Sequence, residues 1–153
     1  RFGKYCERRV IQKLFGWTIV MMRITLDTNI IISILIFKSK DLDKLFYHVV
    51  LDHYLVLSTY IIDELKMVVQ RKFPDKRKAL ERFLEELPFE LSYTPKNIDG
   101  SLFDIRDKKD YPILYSAIIE EVDLFITGDK DFSSVDIIKP EILTPREFLD
   151  KYC

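Results

Sequence analysis

Four acids in this chain have the type and spacing for chemistry: Asp27 in "ITLDTNIIIS", Glu64 in "LSTYIIDEL", Asp110 in "DKKDYPILYSAI", and Asp129 in "DLFITGDKDF". Asp27 poses the sharpest question, because its neighbours are almost all apolar or hydroxylated and a carboxylate removed from water is costly unless something compensates it. Carboxylates forced together repel and raise one another's pKa, so a cluster of them is stable at neutral pH mainly with a cation bound. Donors that are all oxygen suit a hard ion, Mg²⁺ or Mn²⁺. Such an ion without a nucleotide-binding motif points to phosphate chemistry, in which it lowers the pKa of water and stabilises the leaving oxygen, so no protein general base is needed. The two histidines fit that reading, since His48 and His53 lie in none of the acidic motifs and read as structural. No GxxxxGK[ST], GxGxxG or GxSxG motif is present.

The elements that must position these acids alternate along the chain. Strands are expected at Arg23 to Leu26, Tyr54 to Leu57, Phe89 to Ser92, Asp123 to Ile126 and Val135 to Lys139. Helices fill the gaps: one after Asp27, one over "DLDKLFYHVV", a helical hairpin over 59 to 87 broken at Pro74 and closed by Pro88, one from about Asp110 to Glu121, and a last one opened by Thr144 and Pro145. The alternation predicts an α/β fold with a central parallel sheet of about five strands. Ligands of such sheets sit beyond the carboxyl ends of the strands. Asp27 and Asp129 follow strands, Glu64 lies one and a half turns into a helix that leaves a strand, and Asp110 opens a helix running back into one. Each acid alone has an ordinary explanation, as a helix cap, a turn former or a solvated helix residue. Their common edge is what argues for a site.

In this order the motifs resemble those of the PIN-domain family, which includes the VapC-type toxins of toxin-antitoxin pairs, over nearly everything from Met22 to Tyr152. "ITLDTNIIIS" is similar to the family's hydrophobic strand ending in Asp-Thr/Ser-Asn, "LSTYIIDEL" to its Ser and Glu-Leu motif, and "DKKDYPILYSAI" to its Asp before an apolar helix. "DLFITGDKDF" is similar to its strand followed by Thr-x-Asp, and "ILTPREFL" to the tail of its toxin-like group. The resemblance implies a three-layer α/β/α fold and metal-activated hydrolysis of RNA, leaving a 5′-phosphate and a 3′-hydroxyl. It also implies that Asp27, Glu64, Asp110 and Asp129 hold one or two Mg²⁺ or Mn²⁺ ions and that Asp131 completes the set. Asn29, Ser58 and Thr127 would orient these carboxylates. Of Asp104, Asp107 and Asp110, the last matches because Pro112 and Leu114 follow it; the Glu-Leu pair selects Glu64 over Asp63. A small antitoxin partner and a homodimer are implied as well. An alternative is a PIN-fold module that binds RNA or protein with little nuclease activity. A haloacid-dehalogenase-like phosphatase, which also begins from an Asp after the first strand, would need a second Asp where this chain has Asn29.

Composition bounds the rest. At 153 residues, with 48% hydrophobic residues, four glycines and six prolines, the chain can bury one core without disulfides. Cys6 and Cys153 form no metal or disulfide spacing, and the longest apolar run, around Ile30 to Phe37, falls far short of the roughly 20 residues that span a bilayer. A cytoplasmic, membrane-free protein is expected. A net charge of -1 looks wrong for an RNA-binding enzyme, but setting aside the five candidate acids leaves 24 basic residues against 20 acidic ones. Residues 65 to 82 carry seven Lys/Arg against two acids, and Lys66, Arg71, Lys72, Lys76 and Arg77 are candidates to bind the nucleic-acid backbone. Residues 1 to 20 read as an appendage to a domain over 21 to 153: a leader helix, a tag or translated upstream sequence.

Overall fold

The computed structural model describes residues 11–14 and 17–153. Strands β1 (Ile11–Leu14) and β2 (Trp17–Val20) pair antiparallel, so this part of the appendage is strand where a leader helix was one expectation. The rest of that segment lies outside the described residues.

Five strands, β3 (Arg23–Leu26), β4 (Tyr54–Ser58), β5 (Glu90–Ser92), β6 (Leu124–Ile126) and β7 (Glu141–Leu143), form an all-parallel sheet in the order β5-β4-β3-β6-β7. Their β-branched and aromatic runs are covered on both sides, as parallel strands require: Ile24, Leu26, Leu55, Val56, Leu57, Leu124, Phe125 and Ile126 are all buried. The chain leaves β3 towards β4 and β5, then returns to build β6 on the other side of β3. Parallel crossovers are right-handed, so that reversal places helices on opposite faces and gives the three-layer α/β fold. It also opens a crevice at the carboxyl ends of β3 and β6, the topological switch point where such sheets bind ligands.

Local signals set the helices. Helix α1 (Thr28–Ile36) starts at Asp27, whose carboxylate accepts from Thr28 N, and it buries Ile30, Ile31 and Ile32. Helix α2 (Lys40–Asp52) is capped by Ser39 and buries Leu45 and Val49. Helix α3 (Thr59–Lys72) is capped by Ser58 and buries Ile61, Leu65 and Val69, a spacing of one face. It ends just before Pro74, and a single 3-10 turn leads into α4 (Arg77–Glu86). Helix α5 (Tyr111–Ile119) has Pro112 in its first turn and is buried almost all round. Helix α6 (Pro145–Tyr152) is capped by Thr144 and packs against α2. His48 pairs with Asp52 at 2.9 Å and His53 Nδ1 accepts from Met22 N at 3.2 Å, both remote from the acids.

The last strand corrects one expectation. Val135 to Lys139 is the crossover loop, and β7 begins after Pro140. An apolar run was read as a strand, yet Ile138 is fully exposed and Val135 N donates to Phe132 O in a turn. Pro140 lacks an N–H, whereas Glu141 N reaches Asp123 O at 3.0 Å and starts the ladder.

Two substitutions test this arrangement by urea unfolding. Phe125→Ala, which removes a fully buried ring 4.9 Å from that of Phe132, should cost about 3–5 kcal/mol. Ile138→Lys should stay within about 0.5 kcal/mol; a large loss there would restore the strand at 135–139.

Candidate metal centre

All five acids sit at or near the switch point, but not equally. Asp110, Asp129 and Asp131 come together, offering carboxylate oxygens that all lie within 4.8 Å of one another, each acid half-buried. Asp27 and Glu64 flank this trio, close enough to raise the pKa of Asp110.

Asp27 ends β3, where its N donates to Ile126 O at 2.9 Å, and it is only 4% exposed. Both its oxygens have donors: Oδ1 takes Thr28 N at 2.7 Å and Oδ2 takes the Thr127 hydroxyl at 2.7 Å. Burial pushes its pKa up, the bonds from Thr127 and Thr28 hold it down, and Asp129 adds a smaller upward push. The same Thr127 oxygen accepts from Asp129 N at 3.0 Å. Asp129 in turn caps the Lys130–Phe132 turn, its Oδ1 accepting from Asp131 N at 2.9 Å. Each group in this chain therefore orients the next.

Glu64 arrives on α3, and the Ser58 hydroxyl fixes that helix's start by accepting from Ile61 N at 3.2 Å. Ser58 thus positions a carboxylate through the helix, its hydroxyl bonded to the backbone and not to an acid. Burial raises the Glu64 pKa, Asp27 raises it further, Thr28 lowers it and Asp107 adds a last upward push. The Thr28 hydroxyl faces Glu64, yet neither Thr28 Oγ1 nor Glu64 Oε2, both buried, completes a hydrogen bond of normal geometry. A buried carboxylate oxygen without a donor is costly, and a cation would remove that cost.

Asp110 precedes α5 but makes no cap hydrogen bond, so the helix does not consume its carboxylate. Burial, then Asp129, Asp107, Asp27 and Glu64 in turn, push its pKa up to about 7. Tyr60 braces this side from α3, its hydroxyl donating to Lys109 O at 3.0 Å. The donor set is all oxygen, the charges are gathered against their own repulsion, and one oxygen is orphaned. That set fits Mg²⁺ or Mn²⁺.

Other expected site residues fall elsewhere. Asn29 is exposed on the first turn of α1 and makes no hydrogen bond to these acids; Thr28, buried beside it, faces them instead. The helix turns Asn29 outward by one position. Lys66, Arg71, Lys72 and Arg77 are exposed and Lys76 half-buried along α3 and α4. Lys66 and Arg77 line a groove of about 400 Å³ with Val69, Gln70, Leu80 and Leu84, where Arg77 Nε binds Glu81 at 3.2 Å. None of them pairs with an acid of the cluster. Arg106 does, with Nε 3.2 Å from Asp131 Oδ1; its place four residues before Asp110 was the only signal the sequence offered. A cleft of about 500 Å³ adjoins the site between the crossover loop and β7, with Thr127, Gly128 and Asp129 at one end and Val135, Ile137 and Ile142 in its wall.

The model of the PIN domain matches residues 23–131 of this chain. The chain belongs to the PIN-domain family. No curated protein matches it. Among solved structures, a chain of VapBC2 from Rickettsia felis, crystallised with a DNA fragment from their promoter, is similar at a TM-score of 0.59. The two are 17% identical, and the match covers 80% of this chain and 97% of that one. At that identity the likeness is one of fold. It places this PIN domain's sheet and helices among known relatives and leaves its chemistry to its own residues.

The raised carboxyl pKa values make the metal-free protein pH-sensitive. Folded Asp110 holds its proton up to about 7, while the unfolded chain releases it near 3.8. Stability from this source is therefore fully present below about pH 4 and falls as pH rises to 7. Asp27 and Glu64 act in the same direction. In thermal unfolding with EDTA, Asp110→Asn should flatten the decline between pH 5 and about 7.5. Added Mn²⁺ should raise the midpoint more at the higher pH, where ion and proton no longer compete.

Proposed function

We propose that this PIN domain is a ribonuclease dependent on Mg²⁺ or Mn²⁺, acting as the toxin of a toxin-antitoxin pair. The observation that carries the reading is the convergence of Asp110, Asp129 and Asp131 within 4.8 Å at the switch point of the sheet. Asp27 and the orphaned Glu64 Oε2 flank them. Nothing in the fold's stability calls for such a gathering, since like charges at this range destabilise the metal-free protein.

Asp110, Asp129 and Asp131 would hold the ion, with Asp27 and Glu64 completing the set. The ion, when bound, lowers the pKa of water and neutralises charge on the phosphate. The chain supplies placement. Thr127 fixes Asp27 and Asp129 relative to each other, so the carboxylates need not reorganise as charge develops. Ser58 sets the start of the helix that carries Glu64, and Tyr60 ties α3 to the loop that brings Asp110. Water would add at phosphorus, the bond to the 3′ oxygen would break, and that oxygen would take up a proton, leaving a 5′-phosphate. No histidine stands at the site to act as base. Lys66, Arg71, Lys72, Lys76 and Arg77 supply a basic surface for the RNA backbone along α3 and α4. The likeness to a chain of VapBC2 supports an antitoxin partner, and a homodimer is part of the same reading. Action in the cytoplasm belongs to the same reading; among the described residues no helix is long and apolar enough to cross a membrane.

Cleavage of labelled RNAs with Mn²⁺ tests the mechanism. Thr127→Val should lose roughly 10–100-fold, the usual cost of removing a group that supports a metal ligand. Asp27→Asn and Asp129→Asn should lose more, and EDTA should abolish activity. Cleavage by wild type that survives EDTA, or both Asn variants at full rate, would sink the metal mechanism. RNA binding without cleavage would move the protein to a binding module.

A further inference from the structure

Arg106 is the one cation that the described ion pairs set against the acid cluster, and its placement calls for a reason. Its Nε lies 3.2 Å from Asp131 Oδ1, with the arginine side chain 86% exposed and the aspartate 17%. A pair so open to water contributes little to stability. The backbone of Asp131 is in any case already held by the turn, through Asp131 N and Asp129 Oδ1. Arg106 comes from the loop between β5 and α5 that also delivers Asp110, so one segment brings both an acid of the cluster and a cation to its rim.

The chemistry of the guanidinium suggests what that cation is for. It presents five N–H donors in a planar fork that matches a phosphate, and it meets Asp131 as an ion pair through Nε. Asp131 lies within 4.8 Å of ligand atoms on Asp110 and Asp129, which puts the fork at the edge of the place where a substrate phosphate must sit. Once a divalent ion neutralises the acids, Asp131 attracts the guanidinium less and a phosphate attracts it more. An exposed arginine is free to change rotamer and make that exchange.

We propose that Arg106 is a phosphate-binding residue for the nucleic-acid substrate, paired with Asp131 in the metal-free protein and passed to a backbone phosphate when the cluster is filled. The proposal rests on the reading of this cluster as the place where RNA is held. It is distinct from the basic surface of α3 and α4, none of whose residues pairs with these acids.

The test measures binding of a short single-stranded RNA by fluorescence anisotropy with Mn²⁺ over a range of salt. An Asp27→Asn background keeps the RNA uncut. Arg106→Ala should weaken binding by about tenfold, and the slope of log affinity against log salt should fall by about 0.7, one phosphate contact on a single strand. Arg106→Lys should recover most of the slope but not all of the affinity, because a point charge replaces the fork. Mn²⁺ affinity by calorimetry should be unchanged or tighter in Arg106→Ala. An unchanged salt slope overturns the proposal, as does a loss of Mn²⁺ affinity equal to the loss of RNA affinity, which would mean that Arg106 acts only through Asp131. Failure of wild type to cleave RNA while the slope still drops would remove the nuclease reading and keep the phosphate contact. Cleavage by wild type with an unchanged slope would do the reverse.

Discussion

One hydroxyl joins the two halves of this site. Thr127 donates to Asp27 at the end of β3 and accepts from the backbone of Asp129 beyond β6, so a single oxygen sets the spacing of two acids a hundred residues apart. It can do so because Asp27 N already pairs with Ile126 O and Thr127 N with Leu143 O, which brings the carboxyl ends of β3, β6 and β7 level. A slip of one residue in that register would turn the side chain of Thr127 to the other face. The chemistry thus depends on the ladder between two central strands, and the burial of Leu26, Phe125 and Ile126 is what makes that ladder rigid.

The two ends of the same sheet treat charge in opposite ways. At the amino end of β3, Arg23 is buried, yet its guanidinium meets Glu90 at 2.9 Å, Glu120 at 3.5 Å and the carbonyl of Glu120, while its backbone N meets Asp123. A buried charge persists there because its partners surround it. At the carboxyl end, acids gather with far less compensation and their pKa values rise. A protein selected only for stability would not leave the second arrangement, and sites where carboxyl pKa values are pushed up in a crevice are where function concentrates.

Much of this was legible in the chain. Apolar runs bounded by Asp, Ser, Thr and Pro marked four of the five strands of the parallel sheet and the six helices among the described residues within a residue or two, because burial periodicity and capping are written locally. Asp27, Ser58 and Thr144 each cap the helix that follows them. The strand placed at Val135 to Lys139 failed for an equally physical reason: an apolar run says that side chains avoid water, whereas Ile138 is left in it and the ladder waits for the first N–H after Pro140. Asn29 and Ser58 were expected to orient carboxylates. Helix rotation turns the first outward, and the second spends its oxygen on a cap.

The sequence by itself determined which acids end up at the carboxyl edge, since position after a strand or before a returning helix follows from the order of elements. It could not rank them. That Asp110, Asp129 and Asp131 form the tight group, that Asp27 has both oxygens satisfied, and that Glu64 keeps one orphaned are facts of the folded chain. So are the roles of Thr28 and Arg106. Distances between residues far apart in the chain depend on strand order and register, and the burial of the whole sheet at once decides those, not any local stretch of residues.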